Sequence, residues 1–369
     1  MGRRLLFISF QDFHHVSDGG SLANKRNSEM AIRIFGKENV DYYYVNVNSK
    51  KRSLPSLLHA ALLFPFGYFN GLTPRKLQAI VEMSHHYDYI FVSTSVFGLI
   101  AKTLKAHGYK GRIICFFHNV ESLYYEARVC KRLPFRHVII GCAAKNDHYS
   151  IRHADLSVGL CERDSKVMNG LYGKPFDIIA PITFTDKCAH REPDTRALTA
   201  AKPKCYFIGS NFPANAEGVL WFVKNVLPHV DIDFRIIGKD MDLLKASHPI
   251  LTNIPVYSNV PDLAPYFEEA DFMVFPIFSG SGMKVKTCEA LMYGKNILGT
   301  TETFEGYDLN VASCGRLCNT AADYINAIKG FSQNPIPRYN AYARSVFAEK
   351  YSEAIAQQIF EKIFREKAE

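Results

Sequence analysis

One pattern runs twice along this chain: short, largely apolar runs rich in β-branched and aromatic residues alternate with longer segments of helical periodicity. Strands that are apolar throughout and alternate with helices are typical of a parallel sheet covered on both faces. Two such series of about 150 residues each predict an α/β fold of two Rossmann-like doubly wound domains facing a cleft. The predicted strands span residues 5–10, 42–47, 89–93, 112–117 and 155–159, then 204–208, 234–237, 254–257, 272–276 and 296–299.

The segments between these strands indicate the domain boundaries. Residues 183–203 are polar and contain no apolar run, which predicts an exposed linker. We therefore expect one domain over residues 1–185 and a second over 186–340. Residues 341–369 have the pattern of one amphipathic helix, which we expect to pack back toward the first domain. The other predicted helices span residues 21–35, 74–84, 96–107 and 137–153, then 216–227, 261–269, 283–293 and 321–331.

The charge of the chain is modestly positive and concentrated near the N-terminus. Lys and Arg total 44 against 36 Asp and Glu, a net charge of +8, and residues 1–80 contain eleven basic and five acidic residues. Such a surface attracts phosphates of nucleic acids, lipid headgroups or activated substrates. The basic residues are dispersed and accompany no nucleic-acid-binding motif, so we expect no nucleic-acid partner. The length and ordinary composition exclude a small binding module, a histone-like protein and a disordered scaffold.

Several features bear on the compartment. The first apolar run, residues 5–10, is too short for a signal peptide, and the nine cysteines form no C-x-x-C pair, which predicts reduced thiols in a cytoplasmic protein. No stretch reaches the ~18 apolar residues of a membrane-spanning helix. Residues 57–69 are apolar, with the basic residues 50–52 before them and 75–76 after them. This pattern is consistent with peripheral contact at an anionic membrane face, and equally with a core helix that has solvated ends.

Doubly wound sheets bind ligands at the carboxyl ends of their strands, so polar clusters that follow strands are the candidate sites. Gly19 and Gly20 follow the first strand and let the backbone approach an anion at a helix N-terminus, although a tight turn explains them equally well. His118, Asn119 and Glu121 follow the strand at 112–117. His118 can accept a proton, and Glu121 can act on an acceptor hydroxyl.

Two further clusters belong to the second domain. The turn after the strand at 204–208 holds Gly209, Ser210 and Asn211, donors for a second anion site. The strand at 272–276 precedes the richest cluster, in which backbone amides beside glycines can cradle phosphate oxygens and two lysines supply the compensating charge. A carboxylate one to two turns later can accept two hydroxyls of a ribose. This cluster predicts a nucleoside-diphosphate site and comprises Gly280, Ser281, Gly282, Met283, Lys284, Lys286 and Glu289.

These residues give the chain a recognisable family pattern. It resembles the GT-B glycosyltransferases, and specifically the retaining glycosyltransferase family 4 (glycosyl transferases group 1), most strongly over residues 205–306. The matching stretches are residues 209–210, 215, 217–218, 235–238, 260–263, 266, 270–271, 280–286, 289–290, 294–295 and 305–306, with 19–20 and 118–121 in the first domain.

The resemblance implies a role for each candidate residue. The first domain would bind the acceptor, with Asn119 and Glu121 on that side, and the second would bind the nucleotide-sugar. Glu289 would bind the ribose, Gly282 to Lys286 the diphosphate, and Val260 would flank the base. His118 would lie near the transferred sugar, so that His118, Lys286 and Glu289 form the catalytic set. The remaining donor-binding positions would be Gly19, Gly20, Gly209, Ser210, Asn211, Gly280, Ser281 and Met283.

The implied reaction is retaining transfer of a sugar from a UDP- or GDP-linked donor to a saccharide or lipid-linked acceptor, in polysaccharide or glycolipid biosynthesis. The resemblance implies no cofactor and no protein-bound metal. It also implies a cytoplasmic enzyme, working at the inner face of the membrane where its acceptor is lipid-linked.

Two departures from the family pattern keep alternatives open. Ser281 stands where most members carry the first of two glutamates, and Ser210, Asn211 and Asn215 stand where many carry Arg and Lys. A nucleotide-sugar 2-epimerase on the same fold, or a non-catalytic partner subunit, therefore remains an alternative. A metal-dependent GT-A enzyme is disfavoured, because Asp231-Ile-Asp233 precedes its strand and Asp240-Met-Asp242 adjoins Lys239.

Overall fold

The computed structural model describes residues 2–12, 19–46, 62–129, 133, 135–188, 202–280, 282–331 and 333–365. The chain divides into two compact units. Unit 1 comprises Met1–Pro181 together with Ala356–Glu369, and unit 2 comprises Ile182–Ile355. The chain thus returns to unit 1 at its C-terminal end.

Unit 1 is built on one sheet. Its strands are β1 (Leu5–Ser9), β2 (Val40–Tyr44), β3 (Tyr89–Val92), β4 (Arg112–Phe117), β5 (Leu156–Gly159) and β6 (Ile178–Ile179), and its first six helices are α1 (Gly19–Phe35), α2 (Pro74–Ser84), α3 (Gly98–Ala106), α4 (Glu121–Arg128), α5 (Arg136–His153) and α6 (Glu162–Tyr172). All neighbouring strands pair in parallel, in the order β2-β1-β3-β4-β5-β6. The strand order reverses between β1 and β3, which is where a doubly wound sheet opens a crevice.

Unit 2 has a sheet of the same kind. Its strands are β7 (Lys204–Ile208), β8 (Asp233–Gly238), β9 (Val256–Ser258), β10 (Phe272–Phe275), β11 (Ile297–Gly299) and β12 (Gly315–Leu317), and its helices are α7 (Pro213–Asn225), α8 (Met241–Ser247), α9 (Ala264–Glu269), α10 (Val285–Met292), α11 (Thr301–Phe304), α12 (Val311–Cys314), α13 (Ala321–Gly330) and α14 (Ala341–Val346). The parallel order β12-β11-β10-β7-β8-β9 is that of a dinucleotide-binding Rossmann sheet. Its switch point lies between β7 and β10.

The predicted fold class, an α/β protein of two Rossmann-like sheets, is confirmed. The strands at 112–117 and 204–208 and the helix at 74–84 have the predicted bounds. The missed strands, β6 and β12, are only two and three residues long and their outer residues are partly exposed, so no apolar run marks them. The missed helices α4, α8, α11 and α12 have at most eight residues each, and α6, with eleven residues, is rich in polar residues.

The C-terminal segment is not the one continuous helix that its periodicity predicted. After α14 the chain makes a π-helical turn over Phe347–Tyr351, and Ser352 is extended before helix α15 (Glu353–Phe364) begins. Ser352 forms a parallel bridge with Phe184, and this backbone pairing interrupts the helical hydrogen bonds. Helix α15 then packs in unit 1, where the ring of Phe364 lies 5.0 Å from that of Phe35.

The predicted exposed linker is also partly wrong. Ile182 and Thr183 are buried, and Phe184 exchanges backbone hydrogen bonds with Tyr351 and Glu353. The part of the predicted linker at 189–201 lies outside the described residues. Residues 182–184 are therefore packed structure of unit 2 rather than solvated chain.

In the part of the chain that the structure describes, no helix is both long enough and apolar enough to span a bilayer. The eight cysteines there are free thiols, seven of them buried.

Candidate functional site

The switch point of unit 2 brings together Gly209, which follows β7, and the loop that follows β10. Glycine at 209 lets these side chains approach the backbone, because a Cβ there would lie 2.8 Å from Lys286 Nζ and 3.1 Å from Asn215 Nδ2 and would displace them. Gly218 serves the same purpose one layer away, since its Cβ would lie 1.9 Å from the carbonyl oxygen of Pro276. Small residues thus let α7 and the loop after β10 approach each other around one lysine.

Lys286 lies in the first turn of α10 and is held from two sides. Its Nζ donates to Asn215 Oδ1 at 2.5 Å, and the Asn215 amide donates to the Ser210 carbonyl at 2.8 Å. The ammonium also lies 4.5 Å from the centre of the Phe207 ring and 5.7 Å from that of Phe275. These contacts fix the position of the charge before any ligand arrives.

The pKa of Lys286 is lowered to about 7, first because burial penalises the ammonium and then because Lys284 lies nearby. Glu289, one turn later on the same face of α10, has its pKa raised to about 7 by burial, opposed by Lys187 and Lys286. Both groups therefore titrate near neutrality. Such pairs are typical of functional sites.

The sequence predicts that Lys284 is available to bind phosphate, but in the structure its ammonium already has partners. Its ammonium forms an ion pair with Glu302 at 2.5 Å and donates to the Gly282 carbonyl at 2.8 Å. The two side chains are only 12% and 21% exposed, so the pair is partly shielded from water. A bound phosphate would compete with Glu302 for this lysine. Glu302 is a residue that the sequence analysis missed, because it follows a different strand.

The glycine loop before α10 has the backbone freedom that a phosphate cradle requires. Gly280 has φ 154° and Gly282 has φ 64°, and the second value is in the left-handed region that favours glycine. Met283 is buried, and the helix begins at Val285, two residues later than predicted. The predicted site residue Ser281 lies outside the described residues.

The other predicted donor residues have more local roles. The Asn211 amide already donates to the Lys239 carbonyl, and α7 begins at Pro213, which has no amide hydrogen to offer. The Gly209 amide likewise donates to the Ile237 carbonyl, and the Asn215 side chain donates to the Ser210 carbonyl, so the anion site predicted for this turn depends mainly on Ser210. Val260 is half-buried just beyond β9, at the same carboxyl edge of the sheet.

In unit 1, His118 follows β4 as predicted and is held by a partner from another element. Its Nε2 lies 3.0 Å from Asn24 Oδ1, so Nε2 carries the hydrogen and donates it. Asn24 lies on α1, whose first residues are Gly19 and Gly20. One helix therefore provides both the predicted glycines and the group that orients the imidazole. Sequence analysis did not identify Asn24, which lies mid-helix.

Asn119 and Glu121 follow His118, and the structure does not support the predicted chemistry of Glu121. Glu121 is 6% exposed, and burial, followed by the nearby Asp147, raises its pKa to about 8. Burial therefore favours the protonated, neutral form of this carboxyl group, and an Asn119 side-chain hydrogen bond opposes this shift. The raised pKa of Glu121 results from its burial in unit 1, which leaves little of its side chain exposed for contact with an acceptor.

Asp147, on α5, links the two loops that follow β3 and β4. Its Oδ1 accepts from Ser95 Oγ at 2.8 Å, and its Oδ2 accepts from the Ser122 amide at 2.9 Å. Burial raises its pKa to about 6, against the lowering effect of these hydrogen bonds. Sequence reasoning could not find Asp147, since its partners are far away along the chain. Among the described residues, no group of three or more His, Cys, Asp or Glu side chains could hold a metal ion.

Comparisons with known proteins agree with this geometry. Residues 202–334 match the family model described as Glycosyl transferases group 1, which covers the strands and loops that hold Gly209, Lys286 and Glu289. No curated protein sequence matches the chain at a significant level.

Solved structures resemble nearly the whole chain at low sequence identity. A sucrose-phosphate synthase from Thermosynechococcus elongatus superposes with a TM-score of 0.71 at 15% identity, covering 98% of each chain. HepE from Anabaena in complex with UDP-glucose gives 0.63 at 12% identity, covering 98% of this chain and 99% of that one. WaaG, a glycosyltransferase involved in lipopolysaccharide biosynthesis, gives 0.58 at 14% identity, covering 97% and 98%.

These structures share the two-sheet architecture, and the family match falls on the unit that carries the lysine and glutamate of the switch point. The chain therefore has the fold of GT-B glycosyltransferases, and its residues 202–334 match the family model of the group 1 glycosyl transferases.

Proposed function

We propose that the protein is a retaining glycosyltransferase that moves a sugar from a nucleoside-diphosphate donor to a saccharide or lipid-linked acceptor, in polysaccharide or glycolipid assembly at the cytoplasmic face of a membrane. The observation that carries the proposal is the pair Lys286 and Glu289 on one face of α10, both with a pKa shifted to about 7, beside the glycine turn after β7. A cation and a carboxylate at this spacing suit a diphosphate and a ribose.

The chemical demand of the reaction is negative charge on the departing β-phosphate. Lys286 is already positioned by Asn215 and two rings, so it meets that charge without reorganisation. The pKa of Lys286 is near 7 in the free protein and rises when a phosphate binds, because the opposite charge favours the ammonium form. Lys284 adds a second cation if Glu302 releases it, and the amides at the start of α10 add hydrogen bonds. We propose that these groups supply the charge compensation without a metal ion.

His118 is the candidate group on the sugar side. Its Nε2 hydrogen is donated to Asn24 Oδ1, and this contact orients the imidazole ring after β4, where we expect the transferred sugar to lie. UDP is the favoured nucleotide, because HepE, a protein of similar fold, binds UDP-glucose, UDP and glucose. We infer no cofactor beyond the donor substrate.

A thermal-shift panel of UDP, GDP, ADP and CMP derivatives tests the donor site, because a ligand that binds only the native state raises Tm by an amount that grows with the logarithm of its concentration relative to Kd. We expect UDP or GDP to raise Tm and CMP to have no effect. The anomeric configuration of the product, followed by NMR, then tests retention. An unchanged Tm with every nucleotide would contradict the proposal.

Incubation with the donor sugar alone distinguishes the two alternatives. A transferase gives at most slow hydrolysis, whereas a nucleotide-sugar 2-epimerase converts the donor into its epimer without acceptor. A non-catalytic partner subunit would bind nucleotide and give neither product.

A further inference from the structure

The π-helical turn over Phe347–Tyr351 packs directly on α10, the helix that carries Lys286 and Glu289. Such turns are rare in proteins and occur frequently at functional sites. The last residue of this turn, Tyr351, is buried, with only 2% of its surface exposed. The contacts of Tyr351 therefore show which part of unit 2 the turn holds in place.

Tyr351 holds a second tyrosine, Tyr307, beside α10. The centres of the two rings lie 5.0 Å apart, and the rings meet edge to face at 64°. The Tyr351 hydroxyl also accepts a hydrogen bond from the Asp308 amide at 2.7 Å, so the backbone next to the Tyr307 ring is fixed as well. The Tyr351 carbonyl accepts from the Phe184 amide at 3.0 Å, next to the bridge between Phe184 and Ser352. Tyr351 is thus anchored within unit 2 by both its side chain and its backbone.

The Tyr307 hydroxyl contacts the first peptide of α10. It donates to the Lys284 carbonyl at 2.7 Å, and the same carbonyl accepts from the Thr287 amide at 3.0 Å. Lys284 is the residue that precedes α10, and its backbone is extended. Both lone pairs of its carbonyl oxygen are therefore used, one by the helix itself and one by Tyr307. These two hydrogen bonds fix the orientation of the peptide between Lys284 and Val285.

The peptide that Tyr307 orients carries an amide that faces the opposite way. In a trans peptide the N–H and C=O bonds point in opposite directions, so the Val285 amide points toward the N-terminal end of α10 while the Lys284 carbonyl points along the helix. This end of the helix adjoins the glycine loop in which we expect the phosphate to bind. Among the described residues, the Val285 and Lys286 amides have no hydrogen-bond acceptor. Both amides can therefore donate to a ligand, in a direction that the first peptide of the helix sets.

We propose that Tyr307 is a positioning residue for the donor diphosphate. Its hydroxyl orients the peptide between Lys284 and Val285 so that the amides at the start of α10 face the phosphate, and the π-helical turn holds Tyr307 there through Tyr351. The inference rests on the proposed function for the identity of the ligand. Amides that are already oriented require no reorganisation when a phosphate arrives, so Tyr307 acts on the binding of the diphosphate and not on that of the nucleoside. A tyrosine with only a structural role would affect both.

Isothermal titration calorimetry of the full chain with UDP and with uridine tests this role. Y307F removes one hydroxyl and keeps the ring, and the Lys284 carbonyl retains its hydrogen bond from the Thr287 amide. We expect Y307F to bind UDP about three- to tenfold more weakly, the effect of one lost hydrogen bond, and to bind uridine as the wild type does. Y351F, which removes the acceptor of the Asp308 amide, should weaken UDP binding by a smaller factor and leave uridine binding unchanged.

The matched control is Y342F. The Tyr342 hydroxyl accepts from the Asn310 amide at 2.7 Å, so this variant removes a hydrogen bond of the same kind from the same loop, two residues further along. Because that bond is made to the loop and not to the first peptide of α10, Y342F should bind UDP as the wild type does. A melting curve of each variant shows that it is folded at the temperature of the titration.

Three outcomes would overturn the inference: UDP binding by Y307F that is unchanged from the wild type, equal losses for UDP and uridine, or an equal loss of UDP binding in Y342F. If Y307F does not fold, Y351F decides, because unchanged UDP binding in that variant contradicts the inference and a loss specific to UDP supports it. The wild-type titration reports the proposed function separately. A wild type that binds UDP, with a Y307F variant that binds it equally well, contradicts the role of Tyr307 alone, whereas a wild type that binds no nucleotide overturns the proposed function as well.

Discussion

The two units have sheets of the same kind, but their buried titratable groups have different partners. In unit 2, Lys286 and Glu289 lie on one face of one helix, and both have a pKa near 7. In unit 1, the pKa values of Asp147 and Glu121 are about 6 and about 8, but the Asp147 carboxylate accepts hydrogen bonds from Ser95 and Ser122 and so joins the loop after β3 to the start of α4. The difference matches the two proposed substrates. A diphosphate requires charge that responds to it, whereas an acceptor hydroxyl requires loops of fixed geometry.

The largest expected effect tests the unit 2 half of this comparison. Replacing Lys286 by Ala removes the cation that faces the leaving phosphate, so we expect kcat to fall by about 10²- to 10³-fold. The Tm should hold or rise, because a desolvated ammonium has been removed. Steady-state kinetics together with a melting curve measure both quantities. A loss of activity smaller than tenfold would mean that the phosphate binds at another position. The control is K286R, which keeps the positive charge.

The second prediction concerns the stability of unit 1. The folded pKa of Glu121, about 8, lies above the unfolded value of 4.5, so the native state retains a proton that the unfolded chain loses. Stability is therefore greatest below about pH 4.5 for this group and falls as pH rises toward 8, by at most about 1.4 kcal/mol per pH unit. Urea unfolding at pH 5 to 8 measures this slope. E121Q should flatten it, and an equally steep slope in that variant would assign the effect to other groups.

The third prediction concerns the protonation of Lys286 when a diphosphate binds to unit 2. The free pKa of Lys286 is about 7, and a bound phosphate raises it, so diphosphate binding takes up a proton above pH 7. We expect UDP affinity to fall by up to about tenfold per unit between pH 7 and 9. Isothermal titration calorimetry at each pH measures the affinity for UDP. Uridine, which has no phosphate, should show no such weakening, and K286R should remove most of the slope for UDP.

The smallest expected effect concerns Glu302, which forms an ion pair with Lys284 in the absence of phosphate. E302Q releases the ammonium, so we expect UDP to bind about threefold more tightly while uridine binds unchanged. The matched control is D308N, which breaks the Lys350–Asp308 ion pair of the same unit at a largely exposed position. Weaker UDP binding in E302Q would mean that Glu302 positions Lys284 for phosphate rather than competing with it.

Much of this organisation was predictable from the sequence, for a definite reason. Strands buried on both faces are apolar along most of their length, so β4 and β7 stand out as apolar runs that each follow one basic residue, with the predicted bounds. Gly280 and Gly282 were also visible, because glycine is favoured at the positive φ found there, as was Gly209 in the turn after β7. Short elements such as β6 and β12 were not, since two or three residues carry no periodicity.

The residue that holds each site residue in place through a side-chain contact could not be predicted. Asn24 orients His118 from 94 positions away, Asn215 holds Lys286 from 71, and Glu302 pairs with Lys284 from 18. Each partner is an ordinary polar residue on a helix, with nothing local to distinguish it. The break in the C-terminal helix has the same origin, because Ser352 is extended only through its pairing with Phe184.

The sequence by itself determined the two parallel sheets, the edges at which ligands bind and the residue types available there, because apolar runs and glycines are local properties of the chain. Only the tertiary structure decided how those residues behave. Burial brings Lys286 and Glu289 toward neutrality, neutralises Glu121 and pairs Lys284 with Glu302. The pKa of a side chain depends on its desolvation and on the charges near it, and both arise from residues that are distant along the chain.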